Sequence, residues 1–231
     1  GGPASLAGPL SSVSLAESLP TLTSNDKERM SALKRVLGKY IPGGLKGRVR
    51  VTNRDASRWN EGMLYDRILA DVPCSSERHI VMEAARKRRP VDPRQWSPAR
   101  CKRYASIQYG ILASAIRAAD TGALIAYSTC SIASVENEKL VKKLLKKMDR
   151  DLEVVDDCGF LSREELIEMG ADYRDPGWLL LPDKSGCGPI YWVTVRKVGN
   201  SNSTGRAGAG SHHKRGSAPR RSKGGYRSRR R

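Results

Sequence analysis

Short apolar runs alternate along this chain with stretches of helical spacing, and an acid closes each of the first three runs. Leu22–Asn25 ends at Asp26, Arg48–Thr52 at Asp55 and Arg67–Ala70 at Asp71. After the first run, Lys27–Tyr40 sets Met30, Leu33, Val36, Leu37 and Tyr40 on one helical face, and Pro42-Gly43-Gly44 breaks it. Pro98–Asp120 repeats that spacing with Tyr104, Ile107, Ile111, Leu112, Ala115 and Ile116. Ala123–Tyr127 then reads as a strand, Ser134–Met148 as a helix, and Leu152–Val155 and Ile190–Val195 as the last strands. Gly186-Cys187-Gly188-Pro189, ahead of the final strand, cannot be helical. Strands alternating with helices predict an α/β fold with a parallel, doubly wound sheet.

Such a sheet collects ligands outside the carboxyl ends of its strands. An acid there is an ordinary terminator and helix cap. Three in succession, Asp26, Asp55 and Asp71, predict a ligand with several hydroxyl and amine donors. Two cysteine segments occupy the same kind of position: Asp71-Val72-Pro73-Cys74-Ser75-Ser76 and Ser128-Thr129-Cys130-Ser131 each follow a strand. The topology can turn both thiols toward one pocket. A thiol suits attack on an electron-poor ring carbon with later release of the adduct, as methylation at carbon 5 of a cytosine requires. The plain reading of a cysteine is a small buried hydrophobe, and it is the expectation for Cys101, Cys158 and Cys187. Trp96 is read as core. His79, His212 and His213 have no ligand-like partners and there is no Cys-x-x-Cys, so no metal site is expected.

The net charge of +18 is unevenly distributed. Residues 200–231 hold ten Lys/Arg and no acid, leaving +8 on the other 199 residues. Of that, +7 falls within residues 78–103, directly after the first cysteine segment. One sign beside a candidate site predicts a polyanion, and the residues expected to hold it are Arg78, Arg86, Lys87, Arg88, Arg89 and Arg100. Residues 200–231, rich in Gly, Ser and Arg, are expected to be a disordered basic tail, either an RNA contact or a localisation address. Hydrophobic residues make up 39% with a single Phe, so the core must rest on Leu, Ile, Val and Ala. An odd, widely spaced set of five cysteines argues for a reducing intracellular compartment over a disulfide framework. No apolar run is long enough for a membrane span, and no basic leader with an apolar stretch marks a secretory signal.

The two cysteine segments, with Tyr127 ahead of the second and Glu136-Asn137 after it, resemble the Sun/Fmu-type RNA (cytosine-C5) methyltransferases. Val51-Thr52-Asn53-Arg54-Asp55-Ala56, Trp96-Ser97-Pro98-Ala99-Arg100, Leu181-Pro182-Asp183 and Gly188-Pro189-Ile190-Tyr191 are similar to the same family, over roughly residues 22–198. The likeness is to its small forms, including the mitochondrial rRNA-methylating branch. It implies a Rossmann-like methyltransferase domain over residues 1–199 that binds S-adenosylmethionine, with rRNA, or tRNA, as partner. By the same resemblance Cys130 is the nucleophile, Cys74 assists release of the adduct, and Asp71 sits near both cytosine and cofactor. Asp26 matches the ribose-binding acid, and Asp55 with Ala56 the pair flanking the adenine. The relatives imply a mitochondrial or cytoplasmic place; the tail would also suit a nucleolus.

The chain departs from the family's pattern at its start. The family's Ala-Pro-Gly-Gly-Lys loop and the strand before it are not found; Gly1-Gly2 is followed by Pro3 where Lys is expected. Ser31 stands where an Arg is expected, with Arg29 close by. The chain is therefore expected to be an N-terminally incomplete enzyme, with a shortened RNA-binding pseudoenzyme as the alternative. A protein or DNA methyltransferase is disfavoured, because DNA cytosine enzymes carry their nucleophile in the Pro-Cys segment.

Overall fold

Asp26 starts the first helix as its sequence position suggests. In the computed structural model, which describes residues 21–24, 26–60, 62, 64–148, 151–155 and 161–199, its Oδ1 accepts from the amides of Glu28 and Arg29 at 2.8 and 3.2 Å. Gly1-Gly2-Pro3, Cys158 and the 200–231 segment lie outside the described residues. Strand β1 (Thr21–Thr23) leads into helix α1 (Lys27–Tyr40), and β2 (Arg50–Thr52) pairs with β1 in parallel. Asp55 then caps a 3-10 turn, Ala56–Arg58, by accepting from the Ser57 amide at 2.9 Å.

The larger sheet contains β3 (Tyr65–Asp71), β4 (Ala119–Thr129), β5 (Leu152–Val155), β6 (Ala171–Tyr173), β7 (Trp178–Leu180) and β8 (Ile190–Lys197). Its order is β3-β4-β8-β7-β6, with β5 also on β8. Within it only β3 and β4 run parallel; every pairing made by β8, and that of β6 with β7, is antiparallel. The parallel pairing expected from the sequence is kept by β1–β2 and β3–β4 and corrected elsewhere. The fold is α/β with an open sheet, but the sheet is mixed. The reason is connection length. A parallel return needs a crossover of about a dozen residues or more, whereas β7 passes to β8 through the single-turn helix Pro182–Ser185 and Gly186-Cys187-Gly188-Pro189.

The remaining α-helices are α2 (Glu77–Arg86), α3 (Pro98–Ala118), α4 (Glu138–Lys147) and α5 (Arg163–Glu168), besides that single turn, and a 3-10 helix, Gly43–Arg48, precedes β2. Ser97 caps α3 with Pro98 as its first residue. Its other end is closed by a buried lysine: Lys197 Nζ donates to the carbonyls of Ile116 and Ala119 at 3.1 and 2.8 Å, complementing the helix dipole. That cap ends α3 two residues before Asp120, and β4 begins at once, passing through Gly122 at φ 85°. The alternation Ala123, Ile125, Tyr127, Thr129 turns one face of β4 into the core, against Leu112, Ile116, Val141, Leu144, Val193 and Val195.

The sequence reading did not anticipate α5, β6 and β7. Ser162 and Glu165 form a reciprocal capping box that marks α5. The two strands have three residues each, too few to establish an alternating pattern.

Candidate active site

The two cysteine segments leave the sheet side by side. Asp71 is the register partner of Ser128 across β3 and β4, and the Ser128 hydroxyl donates to Asp71 Oδ1 at 3.3 Å. One residue on, the Val72 amide reaches the Ser128 carbonyl at 3.2 Å. Beyond that rung the chains part and present Cys74 and Cys130. Ser76 Oγ stands between the thiols, 3.4 Å from Cys74 Sγ and 3.7 Å from Cys130 Sγ.

Their environments differ. Cys74 is buried and Cys130 exposed. Hydrogen bonding from the Cys74 thiol, helped by Ser76 and by the Cys130 amide, lowers Cys130 from 9.0 to about 6 against the opposing effects of burial and the Asp71 charge. Cys74 moves the other way: sharing its hydrogen bond with Cys130, and then burial, raise it well above the ordinary thiol range. At neutral pH the pair holds one thiolate, on the accessible sulfur, and one thiol, on the buried one.

Beneath the thiols lies a buried polar frame. Glu136, fully buried between β4 and α4, accepts at Oε2 from the Ser75 amide at 3.0 Å and from Gln108 of α3 at 2.8 Å. Gln108 also donates to the Pro73 carbonyl at 2.8 Å. The Tyr127 hydroxyl donates to the Glu136 carbonyl at 2.7 Å. Glu77, at the start of α2, accepts at Oε1 from Ser75 and Ser131 hydroxyls at 2.7 and 3.0 Å and from the Trp96 indole at 3.3 Å. Asn137 ties Thr129 to the Ser131 carbonyl at 2.7 and 2.9 Å. Both cysteine segments are thus fixed from below where they leave the strands. Glu77, Cys101 and Glu136 also offer three donor atoms within 4.8 Å of one another; one oxygen of each carboxylate already serves as acceptor for the loops.

Sequence reasoning missed this frame. Its signals were a glutamine within the otherwise apolar face of α3 and the acid-amide pair Glu136-Asn137 after a strand. Both side chains are buried, and burial is not visible in a local pattern.

The other expected site residues fall into two groups. Asp26 and Asp55 stand at the carboxyl ends of the parallel pair β1–β2, whose loops are joined by Asn53 Nδ2 to the Ser24 carbonyl at 2.6 Å and Thr23 Oγ1 to the Arg54 carbonyl at 3.0 Å. Ser57, through its hydroxyl and amide, lowers the Asp55 carboxyl below its ordinary value; Ala56 opens the turn that follows. Arg78, Arg86, Lys87, Arg88 and Arg89 lie exposed along α2 and just past its end, with Glu83 pairing Lys87 and Arg89. Arg100 is set apart from them on α3, half-buried with its guanidinium 5.4 Å from the Tyr104 ring centroid. Two plain readings are corrected. Trp96 is not core but 40% exposed, held by its indole N–H to Glu77, and Cys187 is exposed. Both lie in turn-rich stretches that leave the core without covering it. Cys101 is buried as expected.

A family model described as 16S rRNA methyltransferase RsmB/F matches residues 14–181. The chain belongs to the RsmB/F methyltransferase family. Among curated relatives of the RsmB/F domain, it is 36% identical over 191 residues to the 5-cytosine rRNA methyltransferase NSUN4 of Bos taurus, covering 77% of this chain and 48% of that protein. It is 24% identical over 176 residues to the mitochondrial tRNA (cytosine(34)-C(5))-methyltransferase of Mus musculus, covering 74% and 49%. The chain spans about half the length of these relatives. The crystal structure of NSun6 from Pyrococcus horikoshii with SFG superposes with a TM-score of 0.57 at 22% identity, over 78% of this chain and 41% of that one. The fold is that of the RsmB/F methyltransferases. No helix among the described residues is long and apolar enough to cross a membrane.

Proposed function

We propose that this chain is the methyl-transferring part of an S-adenosylmethionine-dependent RNA cytosine-C5 methyltransferase, with rRNA the favoured substrate and tRNA the second. The observation that carries the reading is the thiol pair: two cysteines past adjacent parallel strands, one accessible and lowered to about 6, the other buried and held protonated. Family membership and the names of the relatives support it. Residues 1–199 form the methyltransferase domain in this reading, and 200–231 a basic RNA-contacting tail.

Cytosine C5 is a weak nucleophile until a group adds at C6. Cys130, as thiolate, forms the Sγ–C6 bond and pushes electron density to C5. Asp71, hydrogen-bonded from Ser128 beside the two cysteine segments, faces the ring edge where charge shifts in this reading. S-adenosylmethionine, when bound, supplies the electrophilic methyl group that C5 accepts. A base then takes the C5 proton, and the C5–H electron pair re-forms the C5–C6 double bond. The Sγ–C6 bond breaks with its electrons on Cys130, and Cys74, a thiol beside the departing sulfur, assists that release. The target base must be unstacked to enter, and the exposed arginines of α2 begin next to Cys74, well placed to hold its phosphates.

The donor set fits the cofactor. Asp26 spends Oδ1 on the first-turn amides of α1 and Asp55 on the Ser57 amide of its 3-10 turn, and each Oδ2 lies 3.9–4.0 Å from an arginine nitrogen, leaving it open to hydroxyl or amine donors such as those of a ribose. Asp26, Asp55, Ala56 and Asp71 are the residues proposed to hold the cofactor. The mitochondrial tRNA relative supports a mitochondrial place rather than a nucleolus.

The test is calorimetry of S-adenosylmethionine with the 231-residue chain, followed by transfer of labelled methyl into RNA. Binding and transfer into cytosine support the proposal. A folded chain that binds RNA but neither binds cofactor nor transfers methyl would establish the alternative, an RNA-binding pseudoenzyme.

A further inference from the structure

Ser76 occupies the N-cap position of α2, where a serine hydroxyl ordinarily accepts from an amide of the first turn. It makes no such bond. Its backbone is left-handed, φ 55° and ψ 50°, a conformation that disfavours any residue with a Cβ and suits glycine. Two local preferences are therefore set aside at one position. What the hydroxyl contacts instead are the two thiols, at 3.4 and 3.7 Å, and the Cys74 carbonyl at 3.4 Å.

We propose that Ser76 is a positioning residue whose hydroxyl links Cys74 to Cys130 and favours the charge on Cys130. The inference rests on the reading of Cys130 as nucleophile. A hydroxyl can do this because it has one proton and two lone pairs. Its O–H, shared with the Cys74 carbonyl, donates to the Cys130 thiolate, and a lone pair accepts the Cys74 S–H. No covalent bond changes and no proton is lost; the chain of two hydrogen bonds is polarised toward Cys130. A side chain without a hydroxyl leaves the thiols to each other alone. The groups that set the Cys130 charge are Cys74 and Ser76 from the first cysteine segment, its own amide, and Asp71 from the end of β3, which opposes it. Glu77 is engaged by Ser75, Ser131 and Trp96, and Glu136 by Ser75 and Gln108.

The direct bond between the thiols and the burial of Cys74 divide the pair, and the linkage adds to the lowering of Cys130. Cys74 is buried, so its charged form is disfavoured there, while Cys130 meets solvent and substrate. A hydroxyl between them adds to that difference by stabilising the charge on Cys130, before any RNA arrives.

The test is the pH profile of iodoacetamide alkylation at Cys130, read by peptide mass spectrometry on the full chain with neither RNA nor cofactor present. Ser76→Gly removes the hydroxyl and suits the left-handed backbone; Ser76→Ala removes the hydroxyl and keeps a Cβ. Both variants should raise the Cys130 midpoint by about one unit, which is about tenfold less thiolate at pH values below it. Unchanged profiles in both folded variants would overturn the proposal. A shift in only one of them would also overturn it, since backbone conformation and not the hydroxyl would then be responsible. Because this assay needs no methyl transfer, it stands apart from the functional reading: a shifted profile in a chain that never methylates RNA would sink the enzyme and leave the linkage intact.

Discussion

The amide of Ser75 and the carboxylate of Glu136, 61 residues apart in sequence, meet at 3.0 Å in a fully buried contact. Through it the first cysteine segment hangs from the segment that follows the second, and the thiol pair inherits its spacing from that bond and from Gln108.

Glu136→Ala should therefore be costly. It leaves the Ser75 amide buried without its acceptor and strips Gln108 of one of its two, at about 1–3 kcal/mol for each unmet group. Urea unfolding should show a loss of about 2–6 kcal/mol. Glu136→Gln, which keeps an acceptor oxygen, should lose less. Equal stability of all three proteins would mean the frame does not hold the loops.

The cysteines should separate in a denaturing gel. With labelled RNA and S-adenosylmethionine, Cys74→Ala should accumulate a covalent RNA adduct, because attack proceeds and release fails. Cys130→Ala should give neither adduct nor methylated RNA. An adduct with Cys130→Ala would exchange the two roles.

Adduct formation should rise with pH through about 6 and level off near neutrality. Cys130 attacks as the thiolate and is lowered from 9.0 to about 6, so protonation below that point removes the nucleophile. Cys74→Ala removes the foremost cause of the lowering. Its rising limb should move toward the ordinary thiol range. Single-turnover rates of adduct formation from about pH 5 to 9 measure both, and a flat profile would contradict the assignment.

A wedge at Gly110 should be felt at the cofactor side. The turn after Asp55 packs on α3, where a Cβ at Gly110 would stand 3.2 Å from Ser57 Cβ and Ser114 Oγ donates to the Trp59 carbonyl at 3.3 Å. Gly110→Val should destabilise the chain by about 1–3 kcal/mol through overpacking. It should also weaken S-adenosylmethionine binding in calorimetry, since Ser57 holds the Asp55 carboxylate. Unaltered cofactor affinity would detach Asp55 from the site.

Arg78→Ala with Arg86→Ala should weaken RNA binding across sequences and flatten its salt dependence. On a single strand, each phosphate that a cationic side chain neutralises steepens the slope of log K against log salt by about 0.7. Removing two such side chains should therefore flatten it by about 1.4. An unchanged slope in filter-binding titrations would move the RNA to another face.

Local chemistry wrote much of this protein into its sequence. Lys27–Tyr40 and Leu152–Val155 have the boundaries their patterns predict, because a cap, a breaker and a short apolar run act within a few residues. Asp26, Asp55, Asp71 and the two cysteine segments were legible for the same reason: each closes a strand, and a strand is a local pattern. Tertiary structure decided what those patterns could not hold. The sheet became mixed when a short connection returned β8 antiparallel between β4 and its other neighbours. Helix α3 stopped where Lys197, 81 residues beyond Ile116, caps it. Gln108 and Glu136 became the support of the thiols, and Ser76 turned from a helix cap into their neighbour. In each case the deciding contact joins residues far apart in the chain, or forms only once burial has removed water as the competing partner. Such pairings exist only in the folded molecule.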